Sequence, residues 1–121
     1  MKLLLIVGAG GFIGSASRYA LAGLIQNKVL SSFPFGTFSV NLVGCFLIGM
    51  LFALTERGNL NPEWRIFFVT GICGGFTTFS AFSAESLALI RDGQLSLAFM
   101  YIMASVTFGL LTTFAGYELL K

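Results

Sequence analysis

The sequence predicts an all-α membrane protein, with four transmembrane helices in one domain covering residues 1–121. Three observations carry this. Only 10% of the residues are charged and 56% are hydrophobic, with a mean hydropathy of +0.90, whereas soluble domains carry about 25% charged residues. So few charges cannot cover a water-facing surface, so most of this surface must face lipid or a partner. Four apolar stretches follow one another, at 3–26, 35–54, 66–90 and 95–120. At about 1.5 Å per residue each is long enough to cross about 30 Å of hydrocarbon. Only short polar segments separate them, and none of the four alternates with the period of a strand. Lipid satisfies no backbone hydrogen bonds, so helices rather than a barrel follow.

The first stretch opens on Met1-Lys2-Leu3-Leu4-Leu5-Ile6-Val7, the start of a possible secretory signal with Gly14-Ser15-Ala16-Ser17 as its small-residue end. The apolar run resumes after Arg18 and continues to about Ile25, which reads as a retained helix. Asn27-Lys28 and Ser31-Ser32-Phe33-Pro34 divide it from the second stretch. Before the third, Asn61 stands where a helix cap belongs and Pro62 suits a first turn. Arg91-Asp92-Gly93-Gln94 leads into the fourth. Gly10 with Gly14, and Gly71 with Gly75, recur at the spacing that lets helix backbones approach closely.

With an even number of spans, both termini and the Glu56–Arg65 loop share one side, which carries Lys2, Arg57, Arg65 and Lys121. The other side carries Lys28 and Arg91, with Arg18 inside the first helix. The positive-inside bias is slight, which permits a modest preference or insertion both ways round, and the latter would allow an antiparallel homodimer. Four helices are few to enclose a pathway and no internal repeat is visible, so symmetry is expected from a second copy.

Several chemistries are disfavoured. The net charge of +2 gives nucleic-acid binding no support. There is no His, and Cys45 and Cys73 sit singly in apolar runs, so a zinc site is not expected and the cysteines read as small packing residues. Gly8-Ala9-Gly10-Gly11-Phe12-Ile13-Gly14 resembles a dinucleotide-binding turn, but no Asp or Glu lies between Ala20 and Thr55 to hold a ribose, and the βαβ alternation is missing.

Polar groups inside a span need a reason. Arg18 can snorkel, and Glu85 can reach the interface. Asn41 can do neither, and its plain role is helix–helix hydrogen bonding. In the third span, Gly74-Gly75 followed by Thr77-Thr78 makes a poor helix interior, so a break or distortion is expected between Gly74 and Thr78. Backbone groups freed there suit either a small cation, through carbonyls, or an anion, through half-helix N-termini. Phe79 and Phe82 then share one face, with Ser80 and Ser83 beside them. Ring edges are positive and, next to hydroxyl donors, can replace part of an anion's hydration shell, although phenylalanine is also a common lipid-facing residue.

These residues together resemble the Fluc (CrcB) family of fluoride channels over nearly the whole chain. The resemblance rests on Gly10-Gly11-Phe12-Ile13-Gly14-Ser15-Ala16-Ser17-Arg18-Tyr19, on Gly36-Thr37-Phe38-Ser39-Val40-Asn41 and, most specifically, on the run from Gly71 to Glu85. It implies an antiparallel, dual-topology homodimer in the cell (inner) membrane of a bacterium, with two fluoride pathways, each lined by both subunits. Phe79, Phe82, Asn41, Thr78 and Ser80 match pathway positions, as do Tyr101, Ser105 and Thr113 on the fourth helix. Arg18 and Glu85 match vestibule positions. The backbone carbonyls of Gly74 and Thr77 match those around a central structural Na⁺, and no organic cofactor is implied. Ser80-Ala81 departs from the family's commoner serine–threonine pair. The implied role is passive export of fluoride that enters as neutral hydrogen fluoride. Two other classes compete. A small proton-coupled multidrug transporter needs a carboxylate in its first helix, and this one has Arg18 with no Asp or Glu. A non-transporting membrane subunit would use the polar cluster as assembly glue.

Overall fold

A computed structural model describes all residues, Met1–Lys121. It contains helices and turns and no strand. The elements are α1 (Lys2–Lys28), α2 (Phe35–Glu56), α3 (Pro62–Arg65), a π-helical stretch (Ile66–Cys73), α4 (Gly74–Phe76), α5 (Phe79–Arg91) and α6 (Leu95–Leu120). Taken as Pro62–Arg91, the third span joins α1, α2 and α6 as one of four helices long and apolar enough to cross a membrane. It starts earlier than the apolar pattern from residue 66, because Asn61 accepts the Trp64 N–H at 3.0 Å and Pro62 sets the first turn.

The helices pack as two tight pairs, α1 with the first half of the third span and α2 with α6. Glycine makes both seams possible. A side chain on Gly14 would collide with the Ile72 carbonyl and the Phe76 N–H, and one on Gly71 would come within 2.9 Å of the Gly10 Cα. On the other seam Gly49 faces the Thr113 carbonyl, and Gly116 faces that of Phe46. In lipid there is little hydrophobic drive between helices, so this backbone-to-backbone approach and its dispersion contacts carry the association.

The polar ends are tied by short links. Lys2 pairs with Glu63 at 3.3 Å, and the Arg57 guanidinium donates to the Leu120 carbonyl at 3.0 Å, so both termini and the 57–61 turn lie at one end. Most large apolar side chains of α1 and α6 face outward, among them Phe12, Leu24, Phe99 and Phe114. That inverted surface is what lipid requires.

The third span is the irregular one. Ile66–Cys73 is wound with the wide turns of a π-helix, and Gly74 N–H reaches back to the Val69 carbonyl. Gly74 itself is helical, with φ −62° and ψ −37°. The residues that leave helical geometry are Thr77 (φ −89°, ψ 156°) and Thr78 (φ −150°, ψ 119°). The glycine pair instead serves close packing, since a side chain on Gly75 would meet the Gly11 carbonyl at 2.7 Å. Two β-branched threonines are the residues in this stretch most at ease in extended backbone.

Candidate functional site

The two extended residues end one helix and start another; Thr77 is held by its own side chain, Thr78 by its own and by one from α2. Thr77 Oγ1 folds back to the Cys73 carbonyl at 2.9 Å, closing the last turn of α4. Thr78 caps α5, its Oγ1 accepting the Ala81 N–H at 3.1 Å. From α2, Asn41 grips Thr78 at both backbone groups. Its Oδ1 accepts the Thr78 N–H at 2.9 Å and its Nδ2 donates to the Thr78 carbonyl at 3.2 Å. That pair of hydrogen bonds fixes the orientation of the amide. It also satisfies an N–H and a carbonyl that the irregular backbone would otherwise leave bare in the membrane.

Around this step lies an open groove of about 400 Å³. Asn41, Gly74, Thr77, Thr78, Phe79, Phe82 and Ser105 all line it, as do Cys45 and Cys73. Phe79 projects from the chain with 77% of its surface exposed, while Phe82 is half-buried, the two ring centroids 5.6 Å apart. Ser80 is exposed beside them, and its hydroxyl shares a hydrogen bond with that of Thr78 at 3.3 Å. Hydroxyls, an amide and aromatic rings thus meet in one place with no charged side chain among them.

A second hollow, of about 540 Å³, is lined by Arg18 and Glu85 together with Gln26, Thr37 and Asp92. Arg18 is tied to the third span. Its Nε donates to the Gly75 carbonyl at 3.0 Å, at the carbonyl end of α4 where a cation is favoured. Glu85 is held from two sides, by Thr37 Oγ1 at 2.9 Å and by the Tyr101 hydroxyl at 3.1 Å.

The remaining residues matched from the sequence sit elsewhere. Tyr101 is fully buried between Phe33 and Phe82 and lines neither hollow. Thr113 lies on the α2–α6 seam, its hydroxyl donating to the Gly109 carbonyl at 2.9 Å. Thr37 was not singled out. The signal was there, because it sits one turn before Asn41 on the same face of α2 and is a hydroxyl in an apolar span.

Nowhere do three or more His, Cys, Asp or Glu side chains gather. A cation would have to be held by carbonyls, and the Thr77 carbonyl fits: it accepts no hydrogen bond from the rest of the chain. Gly74, one turn earlier, is exposed on the same groove. Two carbonyls are too few to hold an ion alone, so a second copy would have to supply more.

A family model described as CrcB-like protein, Camphor Resistance (CrcB), matches residues 5–117. A protein of Methylobacillus flagellatus named fluoride-specific ion channel FluC is 45% identical over 123 aligned positions, covering 100% of this chain and 96% of the relative. Proteins of the same name from Chlorobium phaeobacteroides and Thermus thermophilus are 44% and 43% identical, each over 98% of this chain and covering 92% and 95% of the relatives. With the family model spanning nearly its full length and bacterial relatives matching end to end, this multi-pass membrane chain belongs to the Fluc (CrcB) family.

Proposed function

We propose that the chain forms a fluoride-selective channel, not an enzyme, which lets fluoride leave the cytoplasm passively across the cell (inner) membrane. The names of its relatives support this reading. The observation that carries it is the uncharged groove at the Thr77–Thr78 step, where donors and phenylalanine rings stand together inside a span. Fluoride is small and strongly hydrated, so a pathway must replace its water. The Ser105 hydroxyl and one of the paired Thr78 and Ser80 hydroxyls offer donors, and the Asn41 amide keeps one N–H free after bonding Thr78. Phe79 and Phe82 offer positive ring edges, which attract an anion without the deep binding that a fixed cation would impose.

The channel works as an antiparallel homodimer with two pathways. A single chain leaves the groove open on one side and Phe79 uncovered. A second copy, inverted, would close both grooves at once, and the slight charge bias permits either insertion. On the same reading, the Gly74 and Thr77 carbonyls of both copies would hold one structural Na⁺, which would neutralise the carbonyl ends of the two interrupted spans.

Fluoride efflux from liposomes, measured against chloride efflux with no proton gradient, is the test. Rapid fluoride loss with negligible chloride loss is expected. Efflux that needs a proton gradient would make the protein a coupled transporter, and no efflux of either ion would make it a structural subunit. Replacing Na⁺ by N-methylglucamine should lower the melting temperature of the purified protein. An unchanged melting curve would remove the cation from the account.

A further inference from the structure

The turn between α1 and α2 is built more carefully than a surface connection requires. The N-cap of α2 is Pro34, whose side chain cannot cap. Gln26, on α1, supplies the missing acceptor: its Oε1 takes the Gly36 N–H at 2.9 Å. Its Nε2 donates to the Ser31 carbonyl at 3.1 Å and the Phe33 carbonyl at 3.2 Å. Both amide protons and the oxygen are therefore in use, and one side chain fixes the turn and the start of α2 together.

The pinned turn carries Phe33 inward. Its ring meets Tyr101 edge-on, at 5.4 Å between centroids and 84° between planes, and also packs on Phe35 and Phe38. Tyr101 in turn lies 5.1 Å from Phe82, and its hydroxyl holds Glu85. One residue past Gly36, Thr37 bonds the other oxygen of Glu85. Two short chains of contact thus run from Gln26. One goes through Phe33 and Tyr101 to Phe82, the other through the α2 N-terminus and Thr37 to Glu85.

We propose that Gln26 and Phe33 are positioning residues for the conducting groove: they set Phe82 and Glu85 through Tyr101 and Thr37 without touching the ion. This rests on the channel reading given above. Phe33→Leu keeps apolar bulk but removes the ring, while Phe33→Tyr keeps the ring. Gln26→Leu removes all three hydrogen bonds. A contact that only aids folding would change how many channels form; a contact that positions Phe82 changes what each channel passes.

Single-channel fluoride current in planar bilayers separates these. Phe33→Leu and Gln26→Leu are expected to lower the unitary current about fivefold, the scale of one lost aromatic contact, with Phe33→Tyr close to the parent. A second readout does not depend on conduction. The chain has three tyrosines, so fluorotyrosine labelling gives three ¹⁹F resonances, with that of Tyr101 identified by Tyr101→Phe. The Tyr101 resonance should move in Phe33→Leu and Gln26→Leu while that of Tyr117 stays. Fewer channels of unchanged unitary current, or a Tyr101 resonance that does not move, would overturn the proposal. If the parent protein passed no fluoride, the channel reading would fall, and the groove would have no current for Gln26 and Phe33 to shape.

Discussion

The two halves of the third span do opposite things with the same membrane depth. Before Thr77 the chain is packed by its backbone. Gly71 and Gly75 press on α1, the helix is wound wide, and the groups it offers are carbonyls. After Thr78 the chain is a regular α-helix that works through its side chains: Phe79 and Phe82 toward the groove, and Glu85 toward Thr37 and Tyr101. Small residues without side chains to interdigitate allow the first half to be rigid and close. Large polarised side chains on a capped helix allow the second half to present chemistry. The step between them lets one span do both.

The contrast can be broken most severely in the first half. Gly14→Leu drives a side chain into the Ile72 carbonyl and the Phe76 N–H, and overpacking of this kind costs about 1–3 kcal/mol even where neighbours can yield. Backbone yields poorly, so loss of the folded species on size-exclusion chromatography is expected. A well-behaved Gly14→Leu protein would mean that the α1 seam is loose.

In the second half, substitutions should remove function and leave assembly. Phe82→Ile or Phe79→Ile is expected to cut fluoride efflux about tenfold or more, the loss of roughly 1.4 kcal/mol from ring-edge attraction, with unchanged elution. Full flux in both variants would remove the rings from the pathway. Asn41→Asp bridges the halves, since it replaces the donor to the Thr78 carbonyl by an anion. A flux loss of several-fold is expected, and normal conduction would place Asn41 outside the pathway. Ser80→Ala should do least, about twofold, because the Thr78 hydroxyl remains beside it and the hydrogen bond lost is an exposed one. A larger loss would make Ser80 a principal donor.

Much of this contrast was legible in the chain itself. Apolar length located the four spans, and the glycine spacing on α1 and the third span named one seam. The clustering of Thr77, Thr78, Phe79 and Phe82 was local in sequence and so could be read locally. What could not be read depended on partners far along the chain. The wide winding of Ile66–Cys73 is a choice of hydrogen-bond register with no side-chain signature. Arg18 bonding to Gly75 joins residues that only the α1 seam brings together. Tyr101 going to the interior, with its hydroxyl on Glu85, needs two helices correctly rotated. Gln26 stood in a stretch that read as the end of a helix and nothing more.

The wide turns of Ile66–Cys73 have a consequence for chain length. Each such turn takes up one residue more than an α-turn covering the same arc, so the segment stores slack between Asn61 and Thr77. A one-residue deletion there can be absorbed by tightening to ordinary winding, leaving both anchors near their places. The same deletion inside Phe79–Arg91 finds no slack and swings everything beyond it by about 100°. Indel tolerance in this protein should therefore be lopsided within a single span, generous ahead of the threonine step and strict behind it.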